Sequence, residues 1–188
     1  MAWLTAHEIN DMGFAEVGKN VYLSSKASFY NCQNIRIGHH VRIDDFCVLS
    51  AGEGGIDIGN YIHIAVFSSL IGAGNITLAD FSGISSRVSI YSSNDDYSGA
   101  FMTNPMIPAA FTHVMHGNVN IGRHVIIGSG SIILPNVTLE EGVAVGALSL
   151  IKKNCAAFGM YLGSPAKRIS ERKRNLLELE KTFLKKEI

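Results

Sequence analysis

Apolar residues recur along most of this chain every six positions, which matches neither the 3.6-residue period of a helix nor the two-residue period of a strand. In the range 119–155 the lead positions carry one branched apolar residue each: Ile121, Ile127, Ile133, Leu139, Val145 and Ile151. Four positions after each lead comes a small or β-branched residue: Val125, Ser131, Val137, Val143, Ser149 and Cys155. The same spacing, with two-residue shifts of frame, covers most of 17–90. A period of six predicts a hexapeptide β-solenoid, an all-β fold of stacked coils with flat faces.

The lead residues of such a solenoid point inward, and each stacks on its equivalents in the coils above and below. Burying one of these side chains contributes about 1.5–3 kcal/mol. A single coil cannot bury its own face, so several coils must stack. Glycine and asparagine are expected at the corners, where tight turns need backbone angles that other residues avoid. The spacing itself leaves the handedness of the coil open.

One stretch, 94–117, interrupts the repeat. A loop of this length with no element of its own is uncommon, and it is usually either functional or disordered. Three aromatic residues in it favour order: Tyr97, Phe101 and Phe111. The same stretch carries acidic residues near its start and histidines near its end, so we expect it to be the active-site loop.

The two ends of the chain lie outside the repeat. Thr5 and Glu8 have the spacing of a capping box and predict a short helix in the lead-in, 1–16. The extension, 156–188, is predicted to hold a second helix with Ser170 as its N-cap and an apolar stripe through Leu176 and Phe183. Between them, 17–155 forms the solenoid domain, interrupted by the loop 94–117.

Composition excludes several classes of function. The 188 residues carry 16 basic and 16 acidic side chains, which gives no general attraction to nucleic acid. The three cysteines have no CxxC spacing, so neither a disulfide framework nor a zinc site is expected. No secretion signal and no long apolar span is present, so we expect a cytoplasmic protein without membrane insertion. The basic excess after residue 167 either steers an anionic ligand or keeps a terminal helix soluble.

Several motifs together resemble the left-handed β-helix acyltransferases. They are the lead residues, the interrupting loop, the run Val145–Ile151 and the closing Gly163-Ser164-Pro165-Ala166-Lys167. Within that family the chain is similar to the branch of galactoside, maltose and streptogramin acetyltransferases. The run Ser92–Gly99 with Thr103-Asn104-Pro105 is similar to acetyltransferases of surface-polysaccharide (O-antigen) synthesis, including those that acetylate a dTDP-linked amino-dideoxy sugar. The resemblance therefore implies a left-handed parallel β-helix with an extended loop and a C-terminal α-helix.

The resemblance also implies a reaction. It implies a homotrimer that binds acetyl-CoA in the cleft between neighbouring solenoids and holds a nucleotide-linked sugar near the loop. The sugar amine would attack the thioester directly, with no covalent intermediate and no metal. Such a site needs a proton acceptor, a donor for the oxyanion and close alignment of the substrates. Alternatives are O-acetylation of a sugar hydroxyl or of a streptogramin-like molecule, and a non-catalytic or zinc-dependent trimeric β-helix protein.

The loop departs from the family pattern at its start. Galactoside-type enzymes place a histidine after an asparagine there, whereas this chain has Asp95 after Asn94. An aspartate suits an amino sugar, because it can pair with the ammonium group and take its proton; the alternative is a turn-capping pair with Asp96. The candidate catalytic residues are Asp95, Asp96 and His116, and the candidate substrate-binding residues are Asn94, Tyr97, His113 and His63.

The resemblance also implies contacts for CoA. Family-type contacts are backbone N–H groups and small side chains, because the pantetheine arm needs a close approach. The matching positions are Ser129, Gly130, Ala147 and Leu148. The candidate phosphate-binding cations are Lys153, Lys167 and Arg168. The alternative is that the small residues serve only the coil and that the cations are solvated surface.

Overall fold

The computed structural model describes residues 2–187, and its regular elements are mostly short strands. The strands before the loop are β1 (Glu16–Val17), β2 (Tyr22–Leu23), β3 (Ser28–Tyr30), β4 (Ile35–Ile37), β5 (Val41–Ile43), β6 (Val48–Ala51), β7 (Ile56–Ile58), β8 (Ile62–Ile64), β9 (Ser69–Gly72), β10 (Ile76–Leu78), β11 (Gly83–Ile84) and β12 (Ser89–Tyr91). Those that follow are β13 (Ser93–Asn94), β14 (Met115–His116), β15 (Val119–Ile121), β16 (Ile126–Ile127), β17 (Ile132–Ile133), β18 (Val137–Leu139), β19 (Ala144–Val145), β20 (Leu150–Ile151), β21 (Gly159–Gly163) and β22 (Ala166–Glu171). The helices are α1 (Ala6–Asp11) and α2 (Asn175–Glu187), with 3₁₀ turns at Cys32–Asn34 and Ala109–Phe111.

Three parallel sheets form the faces of the solenoid. Sheet 1 has the order β1-β4-β7-β10-β15-β18, and sheet 3 has the order β3-β6-β9-β12-β17-β20. Sheet 2 runs β2-β5-β8-β11-β16-β19-β21-β22. Each strand pairs in parallel with the strand one coil further along, and only the last pair of sheet 2, β21–β22, is antiparallel. The predicted all-β helix of stacked coils is therefore confirmed.

The lead residues form the core. Ile64, Ile84 and Ile127 lie opposite one another in sheet 2 and are each no more than 1% exposed. Because these strands are parallel and in register, each of these lead residues packs on its equivalent in the next coil. The six-residue period is the length of one face, and three faces bring the chain from Ile121 to Leu139, the stacked position in the next coil.

Some corners carry the expected asparagine or glycine with positive φ, such as Asn20 and Gly142, whereas others carry bulky residues. Phe46, Phe67 and Arg87 all have φ 61°, in the left-handed region that costs an ordinary residue about 1–2 kcal/mol. The two phenylalanine rings stack at 4.9 Å with 14° between their planes, and the Arg87 guanidinium lies 5.7 Å from the centre of the Phe67 ring. These contacts between coils offset the backbone cost, so bulky residues occupy the corner between sheets 2 and 3.

The N-terminal helix begins where the sequence predicts. Thr5 is the N-cap of α1, and its Oγ1 accepts a hydrogen bond from the Glu8 backbone N–H at 3.3 Å. The Glu8 carboxylate accepts in return from the Thr5 N–H at 2.7 Å. This reciprocal pair is the capping box.

The prediction of Ser170 as a helix N-cap is wrong. Ser170 lies in β22 and pairs with Met160 of β21. The turn at Gly163-Ser164-Pro165-Ala166 sends the chain back along sheet 2 as an antiparallel hairpin, so the helix begins later, at Asn175. The predicted apolar stripe then packs on the chain's own solenoid, where the Phe183 ring meets Tyr61 edge-on at 5.2 Å.

The loop 94–117, expected without an element of its own, has an ordered base. β13 and β14 pair antiparallel, with Ser93 opposite His116 and Asn94 opposite Met115. This ribbon leaves the solenoid after β12 of sheet 3 and returns before β15 of sheet 1, so the loop projects from the corner between these sheets. In the range 2–187, no helix has the length and apolar character needed to cross a bilayer.

Candidate active site

A groove of about 260 Å³ opens on the outer face of sheet 2, where the chain turns toward sheet 3. We call it the serine groove, and its lining residues are His63, Ala65, Gly83, Ile84, Ser85, Ser86, Ile126 and Ser129. On the outer face of the sheet, Gly83 lies between His63 and Ile126 in register. The missing side chain at Gly83 leaves a gap between two large neighbours, and that gap forms the floor of the groove.

The coil register explains why this corner can take a ligand. Ser86, Ser129 and Ala147 are equivalent positions in successive coils, as the hydrogen bonds from Gly130 N to Ser86 O (3.0 Å) and from Leu148 N to Ser129 O (2.9 Å) show. The predicted CoA-contacting residues, Ser129, Gly130, Ala147 and Leu148, therefore all lie on one corner. Ser129, Gly130 and Ala147 are small and leave the backbone open to close approach, whereas the side chain of Leu148 is large and 76% exposed.

Glycine is required at Gly128 for a different reason. A Cβ atom there would lie 2.5 Å from the backbone nitrogen of Ala147 in the next coil. Contacts this short do not occur between real atoms, so the two coils could not approach each other with a side chain at this position. Glycine at this position therefore serves the coil itself, as the structural interpretation of the sequence expects, and the contact with CoA stays a prediction.

His63 borders the groove and is held by a buried carboxylate. Its Nε2 lies 2.8 Å from Oδ2 of Asp44, whose side chain is 7% exposed. Arg42 Nε donates to the other oxygen, Oδ1, at 2.7 Å. Burial raises the pKa of Asp44, but the hydrogen bonds from Arg42 and His63 outweigh it and hold this pKa below its usual value. The Asp44 carboxylate is therefore charged at neutral pH.

A second cavity, of about 350 Å³, lies at the C-terminal end of the solenoid. Two predicted phosphate-binding residues, Lys153 and Lys167, line this C-terminal cleft together with Tyr161, Pro165 and other residues. The tip of the β21–β22 hairpin contacts the turn between β19 and β20, because the Gly163 N–H donates to Ser149 Oγ at 3.1 Å. The third predicted cation, Arg168, forms an ion pair with Glu171 instead and does not line the cleft.

The two loop aspartates have different surroundings. The Asp96 carboxylate accepts hydrogen bonds from Ser98 Oγ at 2.8 Å and from the Gly99 N–H at 3.0 Å. The bond from Ser98 is the largest cause of the lowered pKa of Asp96. Asp96 thus caps a turn of the loop, as the structural alternative proposed. Asp95 and Tyr97 are exposed, Tyr97 to 87%.

The two loop histidines are both exposed: His116 lies at the base of the loop, and His113 lies three residues before it. The Ser93 hydroxyl lies 2.8 Å from His116 Nδ1, and the Ser93 Oγ also accepts from the Ala73 N–H at 2.8 Å. His113 stacks on Phe101, with the ring centres 5.0 Å apart. His116 is therefore fixed to the solenoid through Ser93, whereas His113 belongs to the packing of the loop.

The loop and the groove start from different corners of the same chain. The loop leaves between sheets 3 and 1, whereas the serine groove lies between sheets 2 and 3. The predicted residues thus form two groups: the CoA-contacting positions with His63 on one corner, and Asp95, Asp96 and His116 on another.

Of the residues that line the groove, only His63 and Ser129 were predicted from the sequence; Gly83, Ser85 and Ser86 are among those that were missed. The signal that could have found them is the coil register, since Ser85 and Ser86 occupy the positions of Gly128 and Ser129 one coil earlier. The partner of His63, Asp44, was missed because nothing in the spacing marks a contact between residues 19 positions apart.

One further cavity and the metal-binding side-chain types of the described residues add no candidate site. A cavity of about 530 Å³ lies between α1 and the first coil, with Leu4, Ile9 and Phe14 among its lining residues, and Glu16 is the one ionisable side chain among the described residues that line it. No group of three or more histidine, cysteine or acidic side chains in 2–187 is arranged to hold a metal ion. Burial raises the pKa of Cys155 to about 11, in agreement with a structural thiol.

The chain is similar to known acyltransferases in sequence. No protein-family model matches it. It is 61% identical over 183 residues to the dTDP-4-amino-4,6-dideoxy-D-glucose acyltransferase of Escherichia coli, and the match covers 97% of this chain and 95% of the relative. A putative lipopolysaccharide biosynthesis O-acetyl transferase of Escherichia coli strain K12, WbbJ, is 27% identical over 161 residues, covering 80% and 75%.

The chain is also similar to solved structures of acyltransferases. AntD, an N-acyltransferase from Bacillus cereus crystallised with dTDP and 3-hydroxybutyryl-CoA, matches with a TM-score of 0.94 and 46% identity over 99% of this chain and 98% of AntD. A serine-to-alanine variant of AntD, with dTDP-4-amino-4,6-dideoxyglucose and coenzyme A, matches with 0.94 and 45% over 98% of each chain. A maltose O-acetyltransferase from Clostridium difficile 630, at 19% identity and a TM-score of 0.60 over 89% of this chain and 75% of that one, shows the fold alone.

Proposed function

The chain belongs to the dTDP-4-amino-4,6-dideoxyglucose acyltransferase family of hexapeptide-repeat proteins, and from this premise we propose that it transfers an acetyl group from acetyl-CoA to the amino group of that dTDP-linked sugar. The observation that carries the proposal is the 61% identity, which extends over nearly the whole length of both chains. The product fits surface-polysaccharide synthesis. Because CoA thioesters and nucleotide sugars are made in the cytoplasm, the proposal places the reaction there.

The donor lies along the corner between sheets 2 and 3. Neighbouring coils are about 4.8 Å apart, so the three steps from the coil of Ser86 to β21 span about 14 Å. An extended pantetheine arm fits this path, with the thioester in the serine groove and the nucleotide at the C-terminal cleft. Lys153 and Lys167 then face the phosphates. Arg168 would have to leave Glu171 to join them.

The acceptor amine is recognised by the loop. An amino sugar is an ammonium ion at neutral pH, and the exposed carboxylate of Asp95 is suited to pair with it. The sugar then lies beside Asn94, Tyr97 and His113. Asp96 acts indirectly, by holding the turn that presents Asp95.

The two halves of this site come from two copies of the chain. The loop of one protomer extends over the serine groove of its neighbour, because the loop and the groove start from different corners. Repeating this head-to-tail contact three times closes a ring, which is a homotrimer with three equivalent sites. His116, fixed at the loop base by Ser93, sets how the loop leaves its own solenoid.

The chemistry is a direct acyl transfer. The ammonium group first releases one proton to solvent, and the neutral amine nitrogen then attacks the thioester carbonyl. The C–N bond forms, and the C–S bond breaks as CoA leaves. The hydroxyls of Ser86 and Ser129 line the groove and supply donors for the oxyanion. Holding both substrates in one cleft replaces a bimolecular encounter by a local reaction, which contributes a large part of the rate enhancement.

A comparison of two acceptors tests the proposal. Acetyl-CoA is incubated with dTDP-4-amino-4,6-dideoxyglucose or with the dTDP-linked sugar that has a hydroxyl at the same carbon, and thiol release is followed together with product mass. We expect release and an amide product with the amino sugar alone. Equal rates would favour O-acetyl transfer, the activity in the name of the 27% identical relative. No release with either sugar would overturn the proposal.

A further inference from the structure

The contact between His63 and Asp44 has the geometry of a proton-accepting pair. Asp44 is buried and fixed on both oxygens, by Arg42 Nε at 2.7 Å and by His63 Nε2 at 2.8 Å. Arg42 is itself held, with its guanidinium 5.4 Å from the centre of the Trp3 ring. Because the carboxylate is charged and can only accept, Nε2 must be the protonated nitrogen. The other ring nitrogen, Nδ1, is then left unprotonated, as a base must be.

The ring is also placed where a substrate can reach it. The His63 side chain is 50% exposed and borders the serine groove next to Gly83, which has no side chain to cover it. Two other histidine–carboxylate pairs occur among the described residues. His7–Asp11 lies on α1, away from the groove, and the His124 side chain is 10% exposed beneath α2. Of these pairs, His63–Asp44 is the one that combines a buried carboxylate with an accessible ring.

The charged groups around His63 are few. Asp44 and Arg42 face it from β5 and the following turn. Asp45, the next residue, accepts a hydrogen bond from Ser24 and lies 3.8 Å from Lys26 Nζ. On the other side, the residues 83–86 of β11 and its turn carry no titratable group.

We propose that His63 is a catalytic base of this acyl transfer and that Asp44 is its positioning residue. Resting on the proposed function, this inference adds a route for the proton. As the amine nitrogen bonds to the thioester carbon, its N–H proton moves to Nδ1 of His63. The C–S bond then breaks, and the proton passes from His63 to the departing sulfur, which leaves as the CoA thiol. The histidine is regenerated, and no further reactant is needed.

The main test substitutes His63 with glutamine and compares it with a matched control. The glutamine amide can still donate to Asp44, so His63→Gln keeps the buried carboxylate paired. Loss of a general base lowers rates about 10²–10⁴-fold, so we expect kcat/KM for dTDP-4-amino-4,6-dideoxyglucose to fall at least about 100-fold, with a KM for acetyl-CoA near that of the wild type. The control, His7→Gln, removes the other exposed histidine of an aspartate pair and should change neither value.

Two further measurements separate a base from a structural residue. The acid limb of the kcat/KM–pH profile contains the titrations of the substrate amine and of the base, and the part due to the base should vanish in His63→Gln. In Asp44→Asn the profile should also change, because the ring loses the carboxylate that holds it in one orientation. Added imidazole should restore part of the activity to His63→Ala, whose cavity can take it, but not to His63→Gln.

The outcomes distinguish the two proposals. A wild-type protein that releases no thiol with the amino sugar contradicts the proposed function. An active wild type together with a His63→Gln variant of unchanged kcat/KM and pH profile contradicts the base and leaves the function standing. Failure of His63→Ala to respond to imidazole, with an unchanged profile in Asp44→Asn, would also overturn the base.

Discussion

Glu180 of the C-terminal helix accepts a hydrogen bond from His124 Nε2 at 2.7 Å, and these two side chains are 11% and 10% exposed. Arg123 pairs with the same carboxylate. The contact joins the last element of the chain to the corner between sheets 1 and 2, where His124 stacks on Phe81. This contact holds α2 against the solenoid.

Removing the charge at Glu180 should therefore loosen α2. We expect Glu180→Gln to lower the free energy of unfolding by about 1–3 kcal/mol, the cost of leaving nearly buried polar groups poorly paired. Urea unfolding followed by circular dichroism measures it. Glu178 on the same helix pairs with Lys181 in solvent, so Glu178→Gln should have no measurable effect. Equal destabilisation by both changes would show that helix charge, not the pairing, matters.

Acid should destabilise the fold through Asp44. Its pKa is lower in the folded protein than in the unfolded chain, where an aspartate titrates near about 3.9. The carboxylate thus adds stability above that value, and the contribution is lost as the pH falls through the lower, folded pKa. We expect the melting temperature of Asp44→Asn to lie below that of the wild type at pH 6. The difference between the two melting temperatures should shrink as the pH falls from 4 to 2. Asp11→Asn, at an exposed pair, should follow the wild-type curve.

The fold could be predicted because each face of the solenoid has the same length in residues, so its inward positions recur at a fixed spacing in the sequence. Ile121, Ile127 and Ile133 occupy equivalent places on three faces of one coil, so a one-dimensional period records a three-dimensional contact. The C-terminal hairpin could not be predicted this way. Ser170 has the residue type of an N-cap, but its backbone pairs with Met160, and tertiary pairing overrides local preference.

Only part of the candidate site could be predicted from the sequence. Ser129 and Ala147 could be placed on one corner, because they belong to the same repeat block. The pair His63–Asp44 crosses a coil at a distance that no motif encodes. Phe46 and Phe67 adopt backbone angles typical of glycine, and only the stacking of their rings explains this.

The two loop aspartates should respond differently to substitution. Asp95→Asn removes the charge proposed to pair with the ammonium group, and we expect kcat/KM for the amino sugar to fall about 100-fold while the melting temperature stays constant. Asp96→Asn leaves that charge and weakens the turn held by Ser98 and Gly99, so its effect should be smaller, about tenfold. Steady-state kinetics on both variants decides. A larger loss in Asp96→Asn would reverse the assignment.

The cations of the C-terminal cleft should act on the nucleotide alone. Wild-type protein is expected to use acetyl-CoA more efficiently than acetyl-pantetheine, which lacks the nucleotide phosphates. The double variant Lys153→Ala/Lys167→Ala should lose about tenfold or more in kcat/KM with acetyl-CoA and little with acetyl-pantetheine. Lys19→Ala, on the first coil, serves as the control. An equal loss with both donors would place the lysines away from the phosphates.

A site shared between two copies predicts rescue between inactive variants. Asp95→Asn damages the loop half, and Ser129→Trp fills the groove half, so each variant alone should keep about 1% of the wild-type activity or less. When both are co-expressed with different tags, some interfaces of a mixed trimer join an intact loop to an intact groove. Random mixing of a cyclic trimer makes this pairing at about a quarter of the sites, so the mixture should recover about that fraction of wild-type activity. The control is the double variant Asp95→Asn/Ser129→Trp expressed alone under two tags. It has neither an intact loop nor an intact groove, so it should recover no activity. Absence of rescue in mixed trimers isolated by both tags would show that loop and groove act within a single copy.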